Sequence, residues 1–382
     1  MSLVQDYFNE TKKYKTKYGE KTVVLMQVGS FYEIYAEYVD NTYKYSNIQE
    51  VAKICDLQIV SKKQKNYYMA GFKDHQIEKY IQKILARDYT AVVIVQDEAA
   101  CGTTRSVQGI YSPGTYFNVD DQEEITNYVS CVWLHKFKQN IIIGMSAIDI
   151  FTGNSFLFEY KEPYSLLSNT YNELARFLSI YKSREIILIY NVGEEDLYKI
   201  TQYIDIGNVK QHHINLIDAD ETENYELALK CEKQNYIKST LDDTFYTDIY
   251  LLNEQFSTYD IATQSFCYLL HFINIHNSGL ADKINEPCFE VKKNAVYLGN
   301  HSLKQLNIIA DTSNKISSVS NFFNMAQTSI GKREITYLMS NPTYNEEYLQ
   351  KEYDMIEYLY DKDYKIRDSL IEIIDIEKIY RK

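Results

Sequence analysis

Apolar residues along this chain follow two different periods, and the switches between them outline its elements. An amphipathic helix is predicted over roughly residues 2–18, where apolar positions recur at helical spacing. The run Val23-Val24-Leu25-Met26-Gln27-Val28 reads as a buried strand, and Gly29-Ser30 marks a turn or bend at its end. If the chain then stays extended, Phe31 and Glu33 point to one face, because side chains alternate along a strand. Val51, Ile54 and Leu57 lie in a helical or mixed segment, followed by a loop and Tyr67-Tyr68-Met69-Ala70-Gly71. Ile77, Tyr80, Ile81, Ile84 and Leu85 occupy one face of the clearest helix in the chain, which ends at Arg87-Asp88. Ala91–Val95 predicts another buried strand, and Ser112-Pro113-Gly114-Thr115 a turn that closes the region.

The pattern changes after residue 116. Acidic residues 120–124 read as a linker. Strand-like runs follow at Tyr128–Phe137, Ile141–Ile150 and Ser155–Tyr160, with turns between them. Helix and strand then alternate: a helix over Leu166–Tyr181, a strand at Glu185–Tyr190, a helix near 194–204 and a strand near 208–214. Three antiparallel strands followed by αβαβ is an RNase H-like order. From about 251 the expectation is all-α, with Phe256, Tyr259, Phe266, Leu270 and Ile273 striping a long helix that ends near Asn277-Ser278-Gly279. The predicted domains are therefore 1–116 (α/β), 117–250 (α/β, RNase H-like) and 251–382 (helical).

Composition narrows the function classes. No stretch reaches the ~18 apolar residues that would span a bilayer, and Met1–Asp6 lacks the basic and apolar regions of a signal peptide. A soluble, intracellular protein with no membrane partner is expected. The six cysteines (Cys55, Cys101, Cys131, Cys231, Cys267, Cys288) form no CxxC pair and read as reduced structural thiols. The histidines form no ligand cluster, so no metal is expected. A net charge of −13 argues against a generally sticky nucleic-acid binder, since phosphate attraction supplies most nonspecific affinity. It leaves room for local basic surface: Lys12, Lys13, Lys15, Lys17 and Lys21 before the first strand, and Lys62, Lys63 and Lys65 in a loop. The 37 tyrosines, with abundant Lys, Asn and Ile, look like the codon bias of an AT-rich genome.

Enzyme motifs fail on inspection. Ala326–Arg333 approaches a P-loop but has Ala for the first glycine and Arg for the hydroxyl residue, so the phosphate cradle and the magnesium ligand are both missing. Asp149, in the second strand-like run, stands where an RNase H-like nuclease could hold metal, yet no convincing partner carboxylates accompany it. No catalytic residue is assigned. Phe31 beside Glu33 has two readings: core packing, or a ring that wedges into a base stack beside a group that tests a base edge.

Several landmarks in one order favour the second reading. Gly29-Ser30-Phe31-Tyr32-Glu33, Met69-Ala70-Gly71-Phe72 leading to His75, and Ser112-Pro113-Gly114-Thr115 resemble the mismatch-recognition domain of MutS proteins. Ser146-Ala147-Ile148-Asp149 with Thr152-Gly153 resembles the opening hairpin of the MutS connector. Asn294–Ile309, Ser320–Phe323 through Gly331-Lys332-Arg333, Leu338, Asn341-Pro342 and Asp375–Lys378 resemble segments of its helical core. One departure stands out: the family commonly has proline where this chain has Lys73.

The resemblance implies mismatched or looped duplex DNA as the partner, with Phe31, Tyr32, Glu33, Lys62, Lys63 and Lys65 as DNA-contact residues. It also implies a repair-partner protein bound through the connector, and a dimer for the full-length protein. The family's clamp and ATPase regions have no counterpart in this sequence, so an N-terminal fragment or a reduced relative is expected. ATP and magnesium are expected only where a C-terminal ATPase domain exists. The competing expectations are an RNase H-like nuclease acting on branched DNA and a protein-binding adaptor.

Overall fold

The computed structural model describes residues 3–62, 66–96, 104–117, 124–207, 209–218, 222–290, 296, 300–308, 318–361 and 367–381. They form two compact units: one of residues 1–116 with 220–227 and 270–281, the other of 117–219, 228–269 and 282–382. Lys63, Lys65, Cys101, the acidic run 120–123 and residues 294 and 295 lie outside the described residues.

The first unit is built on a seven-stranded sheet. Its strands are β1 (Thr22–Val28), β2 (Phe31–Val39), β3 (Thr42–Lys44), β4 (Val60–Lys62), β5 (Tyr67–Lys73), β6 (Thr90–Gln96) and β7 (Arg105–Tyr111). They run in the order β4-β5-β2-β1-β6-β7, with β3 on β2. β1 and β6 pair in parallel and are buried along most of their length, as continuous Val/Ile/Leu runs should be in a sheet covered on both sides. Helix α1 (Leu3–Tyr18) covers one face, where the Tyr7 and Tyr35 rings meet edge to face at 5.3 Å and the Tyr7 hydroxyl donates to the Val24 carbonyl. Helices α2 (Ile48–Cys55) and α3 (Ile77–Leu85) serve the opposite face, where Tyr80 stacks on Phe72 at 4.1 Å. The helical or mixed segment around Val51 is thus α2, ended by Asp56 in a left-handed conformation.

The second unit carries a six-stranded sheet: β8 (Tyr128–Phe137), β9 (Asn140–Asp149), β10 (Ser155–Pro163), β11 (Ser183–Tyr190), β12 (Lys210–Asn215) and β13 (Cys288–Phe289). The order is β12-β11-β8-β9-β10-β13. β8, β9 and β10 are antiparallel, while β11 joins β8 in parallel and β12 joins β11 in parallel. Helices α4 (Asn172–Ile180) and α5 (Glu194–Ile204) supply the crossovers. Trp133 on β8 is wholly buried, as a central strand requires.

Three expectations need correction. The helix over Leu166–Tyr181 is shorter: a 3-10 turn at Ser168–Tyr171 leads into α4. The helical stretch starts before 251, with helices Glu223–Cys231 and Gln234–Phe245, and the striped segment breaks at Tyr259 into Gln255–Thr258 and Asp260–His276. Nor is the region after 251 purely helical. Pro287 cannot continue a helix, and Cys288–Phe289 pairs with the free edge of β10 instead. A mixed α/β N-terminal region followed by mainly helical segments is the architecture observed.

Glycine explains one close approach in this unit. A Cβ on Gly144 would lie 2.3 Å from the Ile261 carbonyl carbon, so β9 touches the start of helix Asp260–His276 directly. Glu159 on β10 accepts from the Ala262 amide at 3.0 Å, satisfying one of that helix's first N–H groups.

Candidate nucleic-acid interface

The β1–β2 hairpin is as tight as a hairpin can be. Val28 pairs with Phe31, leaving Gly29 and Ser30 as a two-residue loop, and Gly29 takes φ +59°. Gln96 on β6 accepts from the Gly29 amide at 3.0 Å and steadies the tip. Phe31 is therefore the first residue of β2. Its ring is 46% exposed, whereas its neighbours from Tyr32 to Ala36 are buried. Exposure of a large ring at a two-residue turn runs against the usual preference of Phe for the interior.

Strand alternation divides the motif. Phe31, Glu33 and Tyr35 share the face that α1 covers further along; Tyr32 points the other way, is 5% exposed and packs on Phe72. Tyr32, expected from the sequence among the DNA-contact residues, thus packs in the core. Glu33 is 9% exposed, and its Oε2 accepts a hydrogen bond from the Tyr35 hydroxyl. Lys62 at the end of β4 places Nζ 3.6 Å from the same oxygen. The structure thus joins Lys62 to Glu33.

β5 lies beside β2 and supplies the floor. Gly71 pairs with Glu33, and a Cβ there would sit 2.7 Å from the Tyr32 carbonyl oxygen and 3.3 Å from Glu33 Cγ. Only glycine lets the acidic side chain lie against the neighbouring strand. Lys73 pairs with Phe31 and is exposed. Its φ of −69° is the value a proline ring would impose, so this lysine keeps the backbone that the usual proline would have. The Asp74 amide then donates to the Ser30 carbonyl at 3.0 Å, tying β5 to the hairpin.

Sequence reasoning missed Tyr35 and Lys73. The i, i+2 parity of Phe31, Glu33 and Tyr35 could have found the first; the second needs the β2–β5 register.

The second carboxylate singled out from the sequence is used differently. Asp149 is 1% exposed; its Oδ1 accepts from the Asn127 amide at 2.9 Å and the Phe151 amide at 3.1 Å, and its Oδ2 from the Thr152 hydroxyl at 2.9 Å. Burial pushes its pKa up, against those three bonds and the charge of Arg333. It is the staple of the β9–β10 turn. Among the described residues, no three His, Cys, Asp or Glu side chains are placed to hold a metal ion. The Ala326–Arg333 segment is no phosphate cradle: Thr328 caps helix Ser329–Ser340 by accepting from the Gly331 amide at 3.1 Å. Arg333 is held by Asp375 at 2.7 and 2.8 Å. No helix among the described residues is long and apolar enough to cross a membrane.

Known proteins resemble this chain in sequence. Residues 6–120 match the sequence family described as MutS domain I. A DNA mismatch repair protein mutS homologue of Acanthamoeba polyphaga mimivirus is 27% identical, aligned over 98% of this chain and 36% of its own length. The DNA mismatch repair protein MutS of Fusobacterium nucleatum is 23% identical over 99% of this chain and 39% of its own. This chain therefore spans between a third and two-fifths of the length of these relatives. Among solved structures, a fowlpox virus resolvase with Holliday junction DNA aligns over 38% of the chain at 16% identity and a TM-score of 0.25, too slight a likeness to argue from. Residues 6–120 thus match MutS domain I, and MutS relatives align with the chain nearly end to end.

Proposed function

We propose that this chain binds mismatched or looped duplex DNA in DNA mismatch repair, with Phe31 as the wedge and Glu33 as the hydrogen-bonding probe. One observation carries the reading: a half-exposed Phe31 stands beside a two-residue turn, on the same strand face as an almost buried carboxylate. An apolar ring pushed between base steps from the minor groove unstacks and kinks the duplex. A mispaired or unpaired base resists this least, so selection works through deformability rather than base sequence. A carboxylate among phosphates is otherwise unfavourable, which leaves a specific hydrogen bond to a base as its use. Lys73, exposed beside Phe31, is placed to meet phosphate.

The remaining parts follow the same reading. Residues 117–250 act as an RNase H-like connector that contacts a repair partner; the order β12-β11-β8-β9-β10 supports this, because three antiparallel strands are extended by two parallel ones beyond the first. Residues 251–382 begin the helical core. ATP hydrolysis and dimerisation belong with the share of the relatives that this chain does not cover. Neither a nuclease nor a pure adaptor gains support, since Asp149 is fully engaged and Phe31 is not buried.

The test is binding of short fluorescent duplexes, matched and with one mispair. Phe31→Ala should erase the preference for the mispaired duplex with the fold intact. Glu33→Ala should reduce discrimination with a smaller loss, or a gain, of general affinity. An unchanged preference in Phe31→Ala overturns the wedge.

A further inference from the structure

A cavity opens between α1 and the sheet, on the strand face that carries Phe31 and Glu33. Met26 pairs with Glu33 on one side and Ile94 on the other, and Ile94 pairs with Val107, so these side chains share that face. The cavity measures about 450 Å³, a usual size for a small-ligand site. Its floor is apolar, with Met26 and Ile94 only 1% and 3% exposed. Its wall along α1 carries Asp6, Glu10 and Lys13, one residue per helical turn. Two carboxylates and then an ammonium are thereby spaced over about 10 Å at the helical rise per residue. Lys13 Nζ stands 3.7 Å from Glu10 Oε2 in an exposed pair, which yields to a ligand at little cost. Arg105 of β7 adds a guanidinium to the lining, and its Nε donates to the Gln27 carbonyl at 3.4 Å, which holds the side chain against β1. Val107, also in the lining, is exposed.

We propose that this cavity binds a single nucleotide, its base on the apolar floor, its base edge on Asp6 and Glu10, and its phosphate held by Lys13 and Arg105, with guanine the preferred base. The lining excludes simpler occupants. An apolar ligand would bury four charged side chains without partners of its own. A bare ion would leave most of the space unfilled. A triphosphate would set excess negative charge against two carboxylates, whereas one phosphate suits the balance of the lining. Guanine suits a carboxylate because its N1–H and its N2 amino group lie side by side and match the two oxygens; thymine offers one ring N–H. Such a nucleotide has two sources: a free nucleoside monophosphate, or a nucleotide extruded from bound duplex past Glu33, one strand away from the floor. The first stands without the reading of Phe31. The second rests on that reading, and extrusion costs least for an unpaired base.

The experiment uses the 382-residue chain in two arms. Titration calorimetry with dGMP, TMP and dGTP reads the free nucleotide. dGMP should bind about tenfold tighter than TMP, the usual worth of a good base-edge contact, and dGTP no tighter than dGMP. Equal binding of dGMP and TMP overturns the choice of guanine. The second arm compares a duplex carrying one unpaired deoxyguanosine with the same duplex carrying an abasic residue there. Val107→Trp fills the cavity and Lys13→Met removes its ammonium; both residues are exposed, so the fold should survive. A loss of dGMP affinity of about tenfold in both variants assigns the site to free nucleotide. A preference for the unpaired deoxyguanosine that falls close to one in Val107→Trp assigns it to the extruded nucleotide. The inference is overturned if dGMP fails to bind, or binds both variants as well as wild type, while Val107→Trp also leaves the duplex preference unchanged. If Phe31→Ala still abolishes mismatch preference in that case, only this inference fails; if Phe31→Ala keeps the preference, the reading of Phe31 fails and the dGMP arm still decides this one.

Discussion

Glu33 and Asp149 are both acids in strands, both nearly hidden from solvent, and they do opposite work. Asp149 closes a turn with three donors shared over its two oxygens. Glu33 is fixed through one oxygen, beside an exposed ring at a hairpin tip. Burial alone therefore says little about a carboxylate's role. What separates them is how many oxygens the local fold engages: both in Asp149, and Oε2 in the contacts recorded for Glu33.

The largest expected effect lies on the saturated side. Asp149→Ala leaves two amides and a hydroxyl without their acceptor and should cost about 3 kcal/mol of stability in urea unfolding. The folded fraction should keep its preference for mispaired DNA. Magnesium-dependent cleavage of flapped or branched DNA that Asp149→Asn abolishes would break the comparison outright, since it would make Asp149 the working acid.

A smaller effect is expected on the open side. Gly71→Ala forces a methyl against the Tyr32 carbonyl at 2.7 Å and should cost about 1–3 kcal/mol by overpacking. Because it also presses on Glu33 Cγ, it should lower mismatch discrimination along with stability. Lost stability with unchanged discrimination would show that Glu33 needs no close seat on β5.

The smallest effect is a pH dependence near the C-terminus of the chain. Burial raises the pKa of Asp375, but the hydrogen bonds and charge of Arg333 outweigh it and hold this carboxyl below its ordinary range. A depressed folded pKa means that the stabilisation is present above about pH 4 and fades as pH falls through the folded value. Arg333→Met should therefore unfold earlier than wild type at neutral pH, and the gap should close in acid. A gap that persists at low pH would place the contribution in Arg333's bond to the Ile125 carbonyl at 3.2 Å rather than in its ion pairs with Asp375 and Glu377.

Much of this was legible in the order of residues. The apolar runs at 23–28 and 91–95 announced central strands because a strand buried on both faces is largely apolar. The Ile77–Leu85 stripe announced α3 because one helical face meets the sheet. Parity put Phe31 and Glu33 on one strand face, and the resemblance to MutS proteins, not parity, favoured DNA contact over core packing. Short-range signals served less well where tertiary pairing decided the outcome: Cys288–Phe289 became a strand only because β10 offered a free edge.

The sequence by itself determined the two mixed α/β sheets, the turn at Gly29-Ser30 and the placing of Phe31 and Glu33 on one strand face. These depend on periodicity and backbone conformation, which are local. Only the tertiary structure decided that Tyr32 is core while Phe31 is not, that Lys62 serves Glu33 and that Asp149 is spent on a turn. Those outcomes turn on which strands become neighbours and which oxygens they reach. Residues far apart in the chain set them, and no local pattern records that.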